Sequence, residues 1–337
     1  MKRRKFLHQS AKASAAVSLF GALACKGNEK KETSDGSPDS GAMAATAEAD
    51  LFFDLSLGQW SINRMIRNDG VDPYTFAEKA KGWGFTGLEY VSALYYGTLQ
   101  RAGFSAEAMQ EFVDKSNEEA QKHGMKNVLI MVDGQGNLAV SDATERAAAV
   151  ENHHKWVDAA AAMGCHAIRV NLAGSDVPDE WIANSIDGLT QLGNYARDKR
   201  INVLVENHGG LSSNGEMMAR VFSQVELDNV GTLPDFGNFC IRRNDPSDYG
   251  SGCAEAYDIY KGVEELMPFA KAVSAKSHDF GPDGNESEID YVRMLKIVKD
   301  AGYRGYIGVE YEGSELGEEA GIIATRDLLI KAAGELS

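Results

Sequence analysis

Four apolar runs in the second half of the chain end on ionisable side chains. Val203-Leu204-Val205 leads into Glu206-Asn207-His208-Gly209-Gly210, and Gly231-Thr232-Leu233-Pro234 into Asp235-Phe236-Gly237-Asn238. Val273-Ser274-Ala275 leads into Lys276-Ser277-His278-Asp279, and Ile307-Gly308-Val309 into Glu310-Tyr311-Glu312-Gly313. Side chains alternate along a strand, so Glu206 and His208 share a face, as do Lys276 with His278 and Glu310 with Glu312. Earlier runs add Glu89, and Arg169 with Asn171. A lone acid ending a strand is an ordinary loop cap, and a lone histidine an ordinary structural residue. Four strand ends in succession point to a site. Carboxylates converging on one spot repel unless a positive charge sits among them. A divalent cation held by oxygens and one imidazole meets that need, and such a donor set suits Mn, Mg, Co or Zn.

The elements that must bring these residues together alternate in type. Short β-rich runs fall at 53–57, 87–91, 127–132, 167–172, 202–206, 230–235, 272–277 and 306–310. Helical stretches separate them at 73–83, 105–123, 142–163, 178–199, 214–225, 254–270, 289–301 and 318–335. Asp72 before Pro73 and Ser105 read as helix starts, and Gly124, Gly164 and Gly302 as stops. Alternation of this kind specifies parallel strands with crossover helices. Eight such units over residues 51–337 match a closed (β/α)8 TIM barrel, whose chemistry sits at the C-terminal strand ends. No G-x-G-x-x-G turn follows the first run, which argues against a dinucleotide-binding sheet. His153 and His154 lie in a helical stretch, where neighbours point apart, and read as structural.

The chain has 34 basic and 50 acidic residues, a net charge of −16. It would repel a phosphate backbone, so a nucleic-acid partner is not expected. Met1–Lys5, MKRRK, precedes an apolar stretch too short to span a membrane, the pattern of an export signal over residues 1–25. Arg3-Arg4 resembles a twin-arginine address. Ala22-Leu23-Ala24-Cys25 resembles a lipobox, which would give a lipid anchor at Cys25 and a periplasmic or membrane-tethered lipoprotein. Residues 26–50 read as a disordered linker. No C-x-x-C pair is present; Cys165 and Cys240 read as buried thiols rather than disulfide partners.

Val205-Glu206-Asn207-His208-Gly209-Gly210, Ala275-Lys276-Ser277-His278-Asp279-Phe280 and the stretch from Gly302 to Gly313 resemble the xylose isomerase-like barrel superfamily, from Leu51 to about Leu336. The resemblance implies a metal-dependent sugar isomerase or epimerase, with Glu206, Asp235 and Glu310 as metal ligands. On the seventh strand Lys276 stands where that pattern has a histidine, and His278 follows two residues later as the alternative ligand. Asn238 stands where the pattern often has a substrate-binding histidine.

The chemistry so implied is proton transfer through an enediolate, with Glu206 and Glu310 exchanging the proton and Lys276 or His278 stabilising the developing oxyanion. His208, Asn238, Arg169, Asn171, Glu89 and Glu312 are expected to bind substrate, with Trp60, Tyr95 and Tyr96 as aromatic walls. An exported protein meets few phosphorylated sugars, and the chain has no Gly-rich phosphate cradle, so the expected partner is a free sugar, keto-sugar or glycoside. A lyase or dehydratase on a keto-glycoside would use the same residues. A non-catalytic sugar-binding lipoprotein is the reading from outside enzymology. An endonuclease site built on many histidines is not expected from seven of them.

Overall fold

The structure is a computed structural model that describes residues 51–336 except Pro246 and Tyr249. The expected export signal, lipobox and linker lie outside the described residues. Among the described residues there are ten strands: β1 (Asp54–Gly58), β2 (Gly87–Val91), β3 (Lys126–Val132), β4 (Ala167–Val170), β5 (Asn202–Glu206), β6 (Val230–Leu233), β7 (Cys240–Arg243), β8 (Cys253–Ala256), β9 (Val273–Ser277) and β10 (Tyr306–Tyr311). Eight of them form one parallel sheet in the order β6-β5-β4-β3-β2-β1-β10-β9. These are the eight expected runs, shifted by a residue or two at their ends. Several of the helices between them start at a short polar side chain that caps them. Asp142 accepts from Thr144 and Glu145 N–H at 2.8 and 2.9 Å, Asn214 from Met217 at 3.0 Å, and Asp290 from Arg293 at 3.0 Å.

The expected closure is the thinnest part of this TIM-barrel architecture. Between β6 and β9 the ladder gives way to two isolated parallel bridges, Thr232–Ala270 and Asp235–Ser274. Pro234 explains part of this, because it has no N–H to continue a ladder. Its carbonyl still accepts from Ser274 N–H at 2.9 Å. The seam lies at Asp235 and Ser274, next to the polar strand ends.

One expected element is corrected. The stretch 254–270 was expected to be helical throughout. Its helix runs only over Ile259–Leu266, capped by Asp258, which accepts from Lys261 N–H at 2.8 Å. Residues Cys253–Ala256 form β8, antiparallel to β7. A Cys240–Cys253 disulfide clasps the two strands, so Cys240 is not the buried thiol expected of it; Cys165 is. Ala254, Glu255 and Ala256 favour helix locally, and the cross-link and pairing with β7 override that preference. Among the described residues, no helix is long and apolar enough to cross a membrane.

Candidate active site

Inward-facing positions near the C-terminal strand ends are polar and buried. Ser56, Glu89, Arg169, Glu206, Asp235, Ser274, Lys276 and Glu310 are all at most 4% exposed. Groups this deep must be bonded or paired, or they destabilise the fold. Glu206, Asp235 and Glu310 each present an oxygen, and these oxygens lie within 4.8 Å of one another. Three distant parts of the chain thus meet around one point.

Local sequence sets each of these acids. At the end of β5, Asn207 accepts from Asp235 N–H at 2.8 Å and donates back to the Asp235 carbonyl at 3.0 Å, tying two strand ends together. Asp235 Oδ1 accepts from Gly237 and Asn238 N–H, both at 2.9 Å. That turn aims Asn238 Nδ2 at Glu206 Oε1, 2.9 Å away. Gly237 is required by the packing: a Cβ there would meet Lys276 Cγ at 2.8 Å. Ser274 Oγ bridges Asp235 Oδ2 at 2.7 Å and Glu310 Oε2 at 3.2 Å.

Two cations share this field. Arg169 Nη1 donates to Asp133 Oδ1 at 2.9 Å and to Asn171 Oδ1 at 3.2 Å, and Asn171 Nδ2 donates to Asp133 Oδ1 at 2.8 Å. Arg169 Nε lies 2.8 Å from Glu206 Oε2, but its N–H is not directed along the contact, so both atoms lack a hydrogen bond. Lys276 Nζ lies 3.3 Å from Glu312 Oε2, 3.5 Å from Glu310 Oε1 and 3.9 Å from Asp235 Oδ2.

The electrostatics follow from burial and these neighbours. Burial, with Glu206, Glu312 and Asp235 nearby, pushes Glu310 up to about 8 against the pull of Lys276. Asp235 is raised by burial and by Glu206, again against Lys276. Burial would raise Glu312 too, but Lys276 and His278 outweigh it and hold that carboxyl low. Asp133 is held low by Arg169 despite its burial. Glu89 is pushed up to about 7 by burial, opposed by a 2.5 Å hydrogen bond from Ser56.

A cavity of about 670 Å³ opens over these groups, and Trp60, Asp133, Arg169, His208, Asn238, His278, Glu310 and Glu312 are among its walls. Several expected site residues lie elsewhere. His278 does not join the three-acid cluster: β9 ends at Ser277, so the alternation that turns Lys276 inward does not extend to it. It lines the cavity, with Nδ1 buried and without a hydrogen bond. Glu89 and Asn171 are not cavity walls. Glu89 is buried against Gly308, where a Cβ would meet its Oε1 at 2.5 Å, and Asn171 braces Asp133. Tyr95 is buried, receiving a 2.8 Å bond from Gln59, and Tyr96 packs on Phe104 and Trp156. His153 is structural as expected, its Nδ1 2.7 Å from the Ala149 carbonyl. The sequence reading missed Asp133, the Ser274 bridge, and the hairpin residues Cys240 and Arg243 in the cavity wall. Asp133 follows an apolar run just as Glu206 does, so its signal was there; the hairpin had none.

A metal would find a partial match here. Three carboxylate oxygens are a hard donor set, and Glu206 Oε2 accepts no hydrogen bond, although Arg169 stands 2.8 Å from it. The cluster contains no imidazole.

Comparison with known proteins places the chain in a family. An 82-residue stretch is 33% identical to the C-glycoside deglycosidase alpha subunit of Arthrobacter globiformis, covering 22% of this chain and 23% of that protein. The chain therefore matches under a quarter of that relative's length. Among solved structures, the IolI protein with a bound zinc atom aligns with a TM-score of 0.61 at 15% identity, over 84% of this chain and 98% of that one. The 3-keto-D-glucoside 4-epimerase of E. coli aligns with a TM-score of 0.58 at 13% identity, over 82% and 98%. At these identities the likeness to solved structures is one of fold. Residues 77–332, most of the chain, match the family description, and the protein belongs to the xylose isomerase-like TIM barrels.

Proposed function

We propose that this chain is a sugar isomerase or epimerase that moves a proton through an enediolate on a non-phosphorylated sugar, keto-sugar or glycoside. The observation that carries this reading is the meeting of Glu206, Asp235 and Glu310 beneath a cavity of about 670 Å³. In this reading those three residues hold a divalent cation of the Mn, Mg, Co or Zn type, with His278 at the rim as a further ligand candidate. When bound, such a cation polarises a sugar carbonyl and acidifies the neighbouring C–H.

The chain's own groups do the rest. Asn238 fixes one oxygen of Glu206; the other, Oε2, is ion-paired with Arg169 at 2.8 Å but accepts no hydrogen bond, and is the candidate base. Glu310, standing across the cluster from Glu206, is the group placed to return a proton. Lys276 brings a positive charge that can face the oxygen on which negative charge develops. His208, Asn238, Arg169, Glu312 and Trp60 line the cavity where a sugar would lie. The Cys240–Cys253 disulfide supports export to an oxidising compartment, consistent with a lipoprotein or periplasmic enzyme.

The local identity to a C-glycoside deglycosidase subunit favours a second reading, β-elimination from a keto-glycoside by the same base. The two separate by product mass, which an epimerase conserves and a lyase divides. The test is solvent-deuterium wash-in across a panel of free sugars and 3-keto-glycosides. Deuterium at one carbon that requires both Glu206 and Glu310 supports the proposal. Exchange or turnover that survives Glu206→Gln and Glu310→Gln together would refute it.

A further inference from the structure

The cluster that could seat a metal already contains a cation. Lys276 is 1% exposed, yet none of its Nζ contacts is shorter than 3.3 Å. Charge-assisted N–H···O bonds run to about 2.7–2.9 Å, so the ammonium is held by the field of several carboxylates rather than locked to any of them. Two of its three partners, Glu310 and Asp235, belong to the three-acid cluster; the third, Glu312, does not. Glu312 is also the partner with access to solvent, its side chain 31% exposed against 5% for Glu310 and 0% for Asp235. Lys276 and Glu310 are register partners on adjacent strands, so the two side chains are anchored side by side.

A divalent ion binds carboxylate oxygens at about 2.0–2.2 Å. An ammonium 3.5 Å from one of those oxygens would then face a dication at close range, and like charges at that separation repel strongly in a buried site. The flexible stem of lysine allows the head to move, and Glu312 is the acceptor already within reach.

We infer that Lys276 is a built-in counter-cation of the metal seat: its ammonium neutralises Glu310 and Asp235 when no ion is bound, competes with a divalent ion for them, and is received by Glu312 when the ion enters. This rests on the metal seat proposed above. It follows that the fold does not depend on metal, because the acids are never left unpaired. It also follows that the wild-type seat is a weak one.

Calorimetric titration of Mn²⁺ and Zn²⁺ into the chelator-stripped protein, with thermal melts alongside, tests this. Lys276→Met removes the competitor with little change in length and is expected to bind Mn²⁺ at least about ten-fold more tightly, the scale on which neighbouring groups tune metal sites. Its melting temperature should fall in chelator and recover with Mn²⁺, and the difference between the two conditions should be larger than in wild type, whose weaker seat gains less from the ion. Glu312→Gln removes the receiving carboxylate and should weaken Mn²⁺ binding in a chain that keeps Lys276. Should Lys276→Met not fold without metal, refolding it in Mn²⁺ gives the same affinity by back-titration with a competing chelator. Saturable wild-type binding with equal or weaker affinity in Lys276→Met would overturn the counter-cation role and leave the metal seat standing. No saturable binding in either protein would overturn both. Binding in Lys276→Met alone would uphold the counter-cation and remove the metal from the wild-type chemistry.

Discussion

The two flanks of the cavity handle the same problem, a buried cation among acids, in opposite ways. On the β3–β4 side, Arg169, Asp133 and Asn171 form directed bonds of 2.8 to 3.2 Å. On the β9–β10 side, Lys276 stands 3.3 to 3.9 Å from three carboxylates. A guanidinium is a planar fork that fixes what it touches; an ammonium on a four-carbon stem is a mobile point charge. The arginine flank is therefore scaffold and the lysine flank is the adjustable part of the site. Glu206 belongs to the first through Asn238 and Arg169, and Glu310 to the second through Ser274 and Lys276.

The largest expected effect tests whether both flanks serve one reaction. Glu206→Gln and Glu310→Gln should each lower the rate of solvent-deuterium exchange by about 10²–10⁴-fold, the range for a lost acid or base. A loss confined to one of them would mean that only one flank is catalytic. Next in size, Arg169→Met should destabilise the fold by about 3–5 kcal/mol, because it leaves Glu206 buried without its charge partner and the partly exposed Asp133 without its bond. Urea unfolding measures this, and added Mn²⁺ should not restore it if the arginine is scaffold. Asn238→Ala should preserve the fold and weaken Mn²⁺ binding by about 10–100-fold, since the side chain orients a proposed ligand without touching the ion.

The smallest effect concerns Glu89. Its folded-state value of about 7 lies above the ordinary 4.5, so the folded chain holds the extra proton through that window. Protons bound in excess by the folded state mean that this group's contribution to stability falls as pH rises from about 4.5 to 7. Glu89→Gln should flatten that part of the stability profile, read from unfolding midpoints at the two ends. An unchanged slope would show that Glu89 is not the group that carries it.

How far the sequence foretold this site depended on which physical signal each residue carried. Apolar runs ending in acids located Glu206, Asp235 and Glu310, because strand alternation and burial at a barrel mouth are written locally. The same alternation put Lys276 inward. His278, just beyond the strand end at Ser277, lines the cavity but lies outside the three-acid cluster. Asp133 follows the apolar run 127–132 just as Glu206 follows 203–205, so the same local signal marks it. The β7–β8 hairpin was illegible: Ala254-Glu255-Ala256 reads as helix, and only the three-dimensional approach of Cys240 to Cys253 makes it a strand. Tyr95 and Tyr96 read as cavity walls from their type, but packing against Phe112, Phe104 and Trp156 claims both rings.

The claim beneath both the chemistry and the lysine exchange is that Glu206, Asp235 and Glu310 form one seat for one ion. Asp235 is the member whose place is fixed by most partners, through Asn207, Gly237, Asn238 and Ser274, so its amide should keep the turn while losing the charge. Calorimetric titration of Mn²⁺ into Lys276→Met with and without Asp235→Asn is the most direct measurement. Saturable binding at a single site that disappears with Asp235→Asn is the expected result. Equal binding in both proteins would contradict the seat, and with it the reading of this cavity as a metal-assisted active site.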